Sequence, residues 1–211
     1  MKKLNGAKEK ELILAGYINV VGIDEAGRGS WAGPVVAGAV RFDSDLKLIK
    51  GINDSKKISP KQRDIFYELL IKNFDYGVGI IDCKIIDKIN IANAGKMAMI
   101  EAVKKLKYAP DYLLIDAFKI NYPLPQENII KGDQKIWCIA AASIIAKVYR
   151  DRLMIKLAEK FPNYSFEKHK GYGTAKHLEA LKKYGVCDIH RRRYKPIRLL
   201  SLPNITQRID G

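Results

Sequence analysis

Residues 17–42 read YINVVGIDEAGRGSWAGPVVAGAVRF, and this stretch decides the fold class. Residues 17–24 and 34–42 are apolar runs rich in β-branched side chains, and the glycine-rich segment GRGSWAG separates them. This pattern predicts two strands joined by a tight connection. The stretch therefore predicts the beginning of a β-sheet.

Further strand patterns follow along the chain. Residues 76–81 and 111–116 are strand candidates, and residues 127–132 (ENIIKG) form a short extended piece. Ser59 followed by Pro60 predicts the start of a helix, because serine caps a helix and proline suits its first position. That helix runs through about residue 74.

Two more helices complete the pattern. Asn90 predicts the cap of a helix that runs to about Lys107. Residues 135–160 form a long helical pattern, and its alanine-rich middle, IAAASIIA, would let it lie close against a sheet. We therefore expect an α/β fold, with a central mixed β-sheet flanked by helices.

Composition indicates a folded domain with an anionic partner. The chain has 211 residues, 47% of them hydrophobic, which is enough for a substantial core in one domain. It carries 38 basic and 23 acidic residues, a net charge of +15. Nucleic acid is the first polyanion to consider for such a charge, ahead of an anionic membrane.

Several classes of protein are not indicated. No segment approaches the roughly 18 consecutive apolar residues of a bilayer span, and the opening MKKLNGAKEKEL is charged where a signal peptide is apolar. We expect a cytoplasmic protein that does not bind a membrane. Cys83, Cys138 and Cys187 lie far apart without a CxxC pair, so we expect ordinary reduced thiols.

The last part of the chain differs from the rest. Residues 167–198 hold ten Lys or Arg against three acidic residues. We expect residues 1–160 to form a chemical core and residues 161–211 to form a basic helical extension that packs on it and grips the substrate.

Four acidic residues stand at positions typical of sites in α/β sheets. Asp24 and Glu25 end the first strand, Asp116 ends the fourth predicted strand, and Asp133 follows a glycine. If they converge, a hard cation such as Mg²⁺ or Mn²⁺ would offset their repulsion. Alternatively, a single Asp at a strand end forms a turn or caps a helix.

The chain resembles ribonuclease HII, a member of the ribonuclease H-like superfamily. The resemblance covers about residues 17–198 and rests on motifs in the family's order: GIDEAGRG with GPV (22–29, 33–35), NDSKK (53–57), LID (114–116), KGD (131–133), AASIIAK (141–147), RD (150–151), HKGYGT (169–174) and HRR (190–192). It implies a ribonuclease H-like fold.

The resemblance also implies the chemistry. The family's four metal-binding carboxylates fall on Asp24, Glu25, Asp116 and Asp133, and two-metal hydrolysis leaves a 3′-hydroxyl and a 5′-phosphate. The cut lies 5′ to a ribonucleotide embedded in DNA, with RNA in RNA–DNA hybrids as a second substrate. The implied role is removal of misincorporated ribonucleotides from DNA. The resemblance also implies that the protein is a monomer.

Substrate contacts are implied at further positions. The family's glycine-arginine-glycine element falls on Gly27, Arg28 and Gly29, and its substrate-side tyrosine on Tyr172. Glycine lets backbone groups approach a 2′-hydroxyl, which distinguishes RNA from DNA, and arginine can hold two phosphate oxygens. Read alone, the same residues are typical of a turn and of surface packing.

Further cations are candidates for the phosphate path. Ser143, Lys147 and Arg150 share one face of the long helix, where they could line that path. Alternatively, Lys147 and Arg150 lie on a solvated face and pair with Asp151. Lys56 and Lys57 are similar candidates.

The three histidines are expected at the surface. His169, His177 and His190 have neither an HxxxH spacing nor a cysteine pair nearby, and we expect none to be catalytic.

Two departures from the family pattern concern loop shape. Ser30-Trp31 stands where many relatives have a proline and a small or aliphatic residue, and Ala117-Phe118 follows Asp116 where others have glycine. Arg28 and the 16 residues before the first strand argue against ribonuclease HIII.

A Holliday-junction resolvase and a basic nucleic-acid-binding protein with structural carboxylates remain the alternatives.

Overall fold

The computed structural model describes residues 4–200 and shows a five-stranded sheet with helices on both faces. The strands are β1 (Val20–Ala26), β2 (Val35–Arg41), β3 (Tyr76–Ile81), β4 (Tyr112–Asp116) and β5 (Gln126–Ile129). Their order across the sheet is β3-β2-β1-β4-β5. β2 is antiparallel to β1 and β3, whereas β4 runs parallel to β1 and β5, so the mixed sheet that the sequence predicts is confirmed.

Eight helices accompany the sheet within the described residues. They are α1 (Ala7–Leu14), α2 (Pro60–Asn73), α3 (Cys83–Ile89), α4 (Ile91–Lys104), α5 (Trp137–Lys160), α6 (Phe166–His169), α7 (Ala175–Tyr184) and α8 (Lys195–Leu200). No helix within residues 4–200 is long and apolar enough to cross a membrane.

The predicted caps are present. The Ser59 side chain accepts a hydrogen bond from Gln62 N at the start of α2. The Asn90 side chain accepts from Ala92 N and Asn93 N at the start of α4. Each cap supplies an acceptor to amide groups that have no partner inside the helix.

The central helix α5 lies against β1 and β2 because both partners are small at the contact. Ala140, Ala141 and Ala142 are fully buried. Opposite them, a Cβ added at Gly22 would overlap the backbone of Cys138, and one added at Gly38 would overlap the Ala142 carbonyl. The alanine-rich segment predicted the close approach, and the strand glycines complete it.

The two faces of the sheet have separate cores. One joins α5 and α2 to residues such as Val36 and Leu114, and the other joins α3 and α4 to residues such as Ile23 and Ile115. This burial of both faces explains why the central strands are apolar without alternation.

A third core cluster contains side chains from the C-terminal part and from the body. Phe166, Leu181 and Ile197 pack with Ala32 and with Met154 of α5. The helical character predicted for this part of the chain is confirmed through Leu200, and the tail beyond it lies outside the described residues.

Candidate active site

The pairing of β1 with β4 brings the predicted carboxylates together. Ile23 pairs with Ile115 in parallel register, so the next residues, Asp24 and Asp116, end neighbouring strands at the same edge. Glu25 follows in β1. Asp133 lies in the short 3-10 turn Gly132–Gln134 after β5, and Gly132 N donates to Asp116 Oδ1 at 2.8 Å, which ties that turn to β4.

These side chains line one cavity with the predicted substrate residues. The cavity has a volume of about 460 Å³. Its lining comprises Asp24, Glu25, Ala26, Gly27, Arg28, Gly29, Ser55, Lys56, Asp116, Asp133, Ser143, Lys147 and Tyr172. The fold thus brings the four carboxylates together with Gly27, Arg28, Gly29, Lys56, Ser143, Lys147 and Tyr172, whereas Lys57 and Arg150 do not line the cavity.

Burial and mutual repulsion act on the carboxylates. Burial raises the pKa of Asp24 well above its ordinary value, and the charges of Glu25 and Asp116 raise it further. Burial, with the charges of Asp54 and Asp116, raises the pKa of Asp133 to about 6. Burial and mutual repulsion therefore both disfavour the charged forms of Asp24 and Asp133.

Glu25 is held on one side only. Burial raises its pKa, and the Arg28 guanidinium opposes that effect, with Nη1 of Arg28 3.3 Å from Oε1 of Glu25. The other oxygen, Oε2, is buried and has no hydrogen-bond partner within residues 4–200. A buried carboxylate oxygen without a partner is costly unless a ligand or ion satisfies it.

The four carboxylates are ligands suited to a hard divalent cation, although they do not form a preformed metal site. All four candidate ligands are carboxylates, whose oxygens are the donors that Mg²⁺ and Mn²⁺ prefer. Within residues 4–200, no group of three or more His, Cys, Asp or Glu side chains is already arranged to hold a metal ion. The fit of the site to a metal ion therefore rests on the chemistry of its donors.

Comparison with known proteins identifies the family. A family model described as Ribonuclease HII matches residues 21–197. A relative named Ribonuclease HII from Chlamydia trachomatis serovar L2 is 52% identical over 192 residues, which cover 90% of this chain and 88% of the relative. The chain belongs to the ribonuclease HII family.

Solved structures agree with the fold. The ribonuclease H2 of Pyrococcus horikoshii OT3 has a TM-score of 0.72 at 29% identity, covering 87% of this chain and 97% of that one. The RNase HII of Archaeoglobus fulgidus, solved as a complex with PCNA, has a TM-score of 0.71 at 30% identity, covering 84% and 96%. Membership of this family makes the protein a ribonuclease H-type nuclease, and the ribonuclease H-like fold expected from the sequence is confirmed.

The expectation that Arg150 lines the phosphate path is wrong. Ser143 and Lys147 do line the cavity, and Lys147 also pairs with Asp151 at 2.8 Å. Arg150, one turn further along α5, is fully buried, and its Nε donates to Pro34 O at 2.9 Å. Lys57 is exposed and does not line the cavity.

The expectation that all three histidines lie at the surface is wrong for two of them. His177 is 0% exposed and His190 is 2% exposed, and only His169 is half-buried. Their ring nitrogens lie in a chain of hydrogen bonds: Cys187 N donates to His190 Nδ1 at 2.9 Å, the two Nε2 atoms are 3.0 Å apart, and His177 Nδ1 lies 3.0 Å from Tyr172 O.

One tautomer of each ring satisfies this chain. His190 Nδ1 accepts from an amide, so His190 Nε2 carries the proton that it donates to His177 Nε2. His177 Nδ1 then donates to the Tyr172 carbonyl. Both rings are neutral, and they anchor the backbone that presents Tyr172 to the cavity.

No role was predicted from the sequence for three buried residues beside the site. Ser55 Oγ lies 3.0 Å from Ser143 Oγ. Asp54 accepts a hydrogen bond from Gln134 Nε2 at 3.2 Å, and its charge raises the pKa of Asp133. Both belong to the NDSKK motif, where the lysines had drawn attention instead. Arg191, in the HRR motif, donates to Arg28 O at 2.9 Å.

The Ser30-Trp31 departure joins two parts of the site. Trp31 N donates to Gly171 O at 2.8 Å, and a Cβ added at Gly173 would overlap the Trp31 ring. The loop after the GRG element therefore packs on the segment that carries Tyr172, and glycine is required at 173 for that contact.

Proposed function

We propose that this protein is a divalent-metal-dependent endonuclease that cuts on the 5′ side of a ribonucleotide in duplex DNA or in an RNA–DNA hybrid. The products are a 3′-hydroxyl and a 5′-phosphate. The observation that carries the proposal is the convergence of four carboxylates, the GRG loop and Tyr172 on one cavity. The biological role would be removal of misincorporated ribonucleotides from DNA.

Asp24, Glu25, Asp116 and Asp133 are the residues that would hold two cations, Mg²⁺ or Mn²⁺. Support comes from the unpartnered Glu25 Oε2, which a bound cation would satisfy. The pKa of Asp24 is raised by burial and by the charges of Glu25 and Asp116, and a cation would offset both effects. When bound, the ions supply activation of a water nucleophile and stabilisation of the leaving oxygen.

The GRG loop provides the contacts expected for a ribonucleotide. Gly27 has a φ of 92°, and a Cβ there would overlap the Arg150 guanidinium beneath it. Glycine at 27 is therefore required for the close packing of Arg150. The proposed contact of the loop backbone with a 2′-hydroxyl rests on the cavity that Gly27, Arg28 and Gly29 line. Gly29 has open space around its Cα, so that face is free for substrate.

Tyr172 and Lys147 also line the cavity. The Tyr172 residue is 36% exposed, and the Lys147 ammonium lies 5.5 Å from the centre of its ring. The flat ring offers a surface for the sugar next to the ribonucleotide, and Lys147 offers a charge for a phosphate.

A second cavity adjoins the first and carries more cations. It has a volume of about 600 Å³ and shares Lys147 and Tyr172 with the active-site cavity. Its lining also includes the cations Arg63, Arg152, Lys168 and Lys170 and the carboxylates Asp64 and Asp151. A duplex lying across both cavities would pass its phosphates over these side chains. Because phosphate contacts release counterions, duplex binding should weaken steeply with salt.

The test is cleavage of a labelled DNA duplex that carries one ribonucleotide, beside an all-DNA duplex and a four-way DNA junction. Each is incubated in Mg²⁺, in Mn²⁺ and in a chelator. Metal-dependent cutting only on the 5′ side of the ribonucleotide supports the proposal. Cutting of the DNA junction would favour a resolvase, and binding without cutting in any metal would favour a nucleic-acid-binding protein.

A further inference from the structure

Phe118 lies at the rim of the proposed active site, two residues beyond Asp116. The residue is 37% exposed, although phenylalanine is usually buried. The centre of its ring is 4.2 Å from Cζ of Arg28, a distance typical of a cation–π contact.

The Arg28 side chain is thus held between two groups. Its Nη1 lies 3.3 Å from Glu25 Oε1, and the Phe118 ring packs on it from β4. Glu25 is also a candidate metal ligand, and a carboxylate that shares its charge with a cation attracts a guanidinium less strongly. Phe118 is then the contact that still restrains Arg28.

The backbone connects Phe118 directly to the carboxylate site. Ala117 has a φ of 60°, in the left-handed region, and Phe118 N donates to Asp116 O at 2.8 Å. This tight turn at the end of β4 places the Phe118 ring beside β1 and the GRG loop. The departure Ala117-Phe118 therefore adds an aromatic contact to the arginine of that loop.

We propose that Phe118 is a positioning residue that holds the Arg28 guanidinium beside the carboxylates for a substrate phosphate. The inference rests on the proposed function. The guanidinium carbon lies over the ring, a contact that takes up no N–H group of Arg28 as a hydrogen-bond donor and leaves these groups available for phosphate oxygens. Restraining a long side chain before binding lowers the entropy that binding must remove.

The test compares Phe118→Leu and Phe118→Tyr with the wild-type protein on the duplex that carries one ribonucleotide. Leucine keeps an apolar side chain without the ring, so KM should rise about three- to fivefold with kcat much less affected. Tyrosine keeps the ring and should restore the wild-type KM. Tyr108→Leu is the matched control, since Tyr108 stacks with Arg41 at 4.7 Å at the other end of the sheet.

A double-mutant comparison shows whether Phe118 acts through Arg28. In an Arg28→Ala background, Phe118→Leu should have no further effect on KM. A wild-type KM for Phe118→Leu, or an equal rise of KM in the Arg28→Ala background, would overturn the inference.

Binding separates this inference from the proposed function. The Kd of each variant for the same duplex is measured by fluorescence anisotropy in a chelator, where no cutting occurs. A weaker Kd for Phe118→Leu that Phe118→Tyr restores supports the inference even if the wild-type protein fails to cut, which would overturn only the proposed function. Equal Kd and KM values for all three proteins would overturn the inference alone.

Discussion

Arg150 and Arg191 donate to the same backbone carbonyl oxygen, that of Pro34, from Nε at 2.9 Å and from Nη2 at 3.0 Å respectively. Both residues are fully buried. Their remaining donors go to the carbonyls of Arg28, Ala32, Gly33 and Lys170 and to the Tyr194 hydroxyl. Two residues 41 positions apart in the chain therefore fix the loop that carries Arg28.

Replacing Arg150 with lysine should destabilise the protein by about 2–4 kcal/mol, because one ammonium cannot replace the three separate donations and leaves buried carbonyls without partners. Urea unfolding measures the change. Arg152→Lys on the same helix is the matched control. Arg152 is exposed and pairs with Asp64 and Glu68, so this substitution should change the free energy of unfolding by no more than about 0.5 kcal/mol. Equal effects of the two substitutions would contradict the role of Arg150.

Gly22→Ala should destabilise the protein by about 2–3 kcal/mol, because the new methyl group overlaps the α5 backbone at Cys138 and must push the helix away from β1. Gly95→Ala in α4 should instead stabilise it by up to about 1 kcal/mol, since a Cβ there meets nothing within 4 Å and alanine favours the helix. Thermal unfolding of both variants checks the pair. A neutral Gly22→Ala would show that α5 does not need this close approach.

The histidine chain should make part of the stability depend on pH. Burial lowers the pKa of His177 and of His190 to about 4; the charge of His169 lowers the pKa of His177 further, and that of His177 lowers the pKa of His190. Because the folded pKa lies below the unfolded value of about 6.5, the contribution is complete above pH 6.5 and is lost as the pH falls toward 4. The raised pKa values of Asp24 and Asp133 act in the opposite direction over acidic pH.

Titration of the imidazole C2–H resonances by NMR separates these contributions. We expect the resonances of His177 and His190 to titrate well below pH 6.5. His169 is the internal comparison, since its ring stacks on His177 at 4.5 Å and burial lowers its pKa as well. Ordinary titration of His177 and His190 near pH 6.5 would mean that their rings are solvated and that the hydrogen-bond chain to Tyr172 is absent.

Local sequence signals predicted most of the sheet and of the carboxylate site. β3 has the predicted bounds. The caps at Ser59 and Asn90 could be predicted because capping depends on the local sequence. The carboxylates were predicted because strand ends in a mixed sheet converge. The short helix α3 was missed, since its seven residues follow β3 directly and give no clear helical period.

The errors at Arg150, His177 and His190 share one physical cause. The spacing of Lys147 and Arg150 shows that they share a face of α5, but spacing does not show what covers that face. Residues 169–191 fold back over it from far along the chain, and they bury Arg150 and enclose His177 and His190. Burial that depends on such long-range packing cannot be deduced from a local pattern.

Cleavage at a single ribonucleotide by Asp24→Asn, with Asp45→Asn as an exposed-carboxylate control, is the most direct test of the carboxylate site. In Mg²⁺ or Mn²⁺, the wild-type protein and Asp45→Asn should cut the duplex, whereas Asp24→Asn should be slower by orders of magnitude and bind the duplex with an unchanged Kd. Cutting by Asp24→Asn at the wild-type rate would contradict a catalytic role for the four carboxylates.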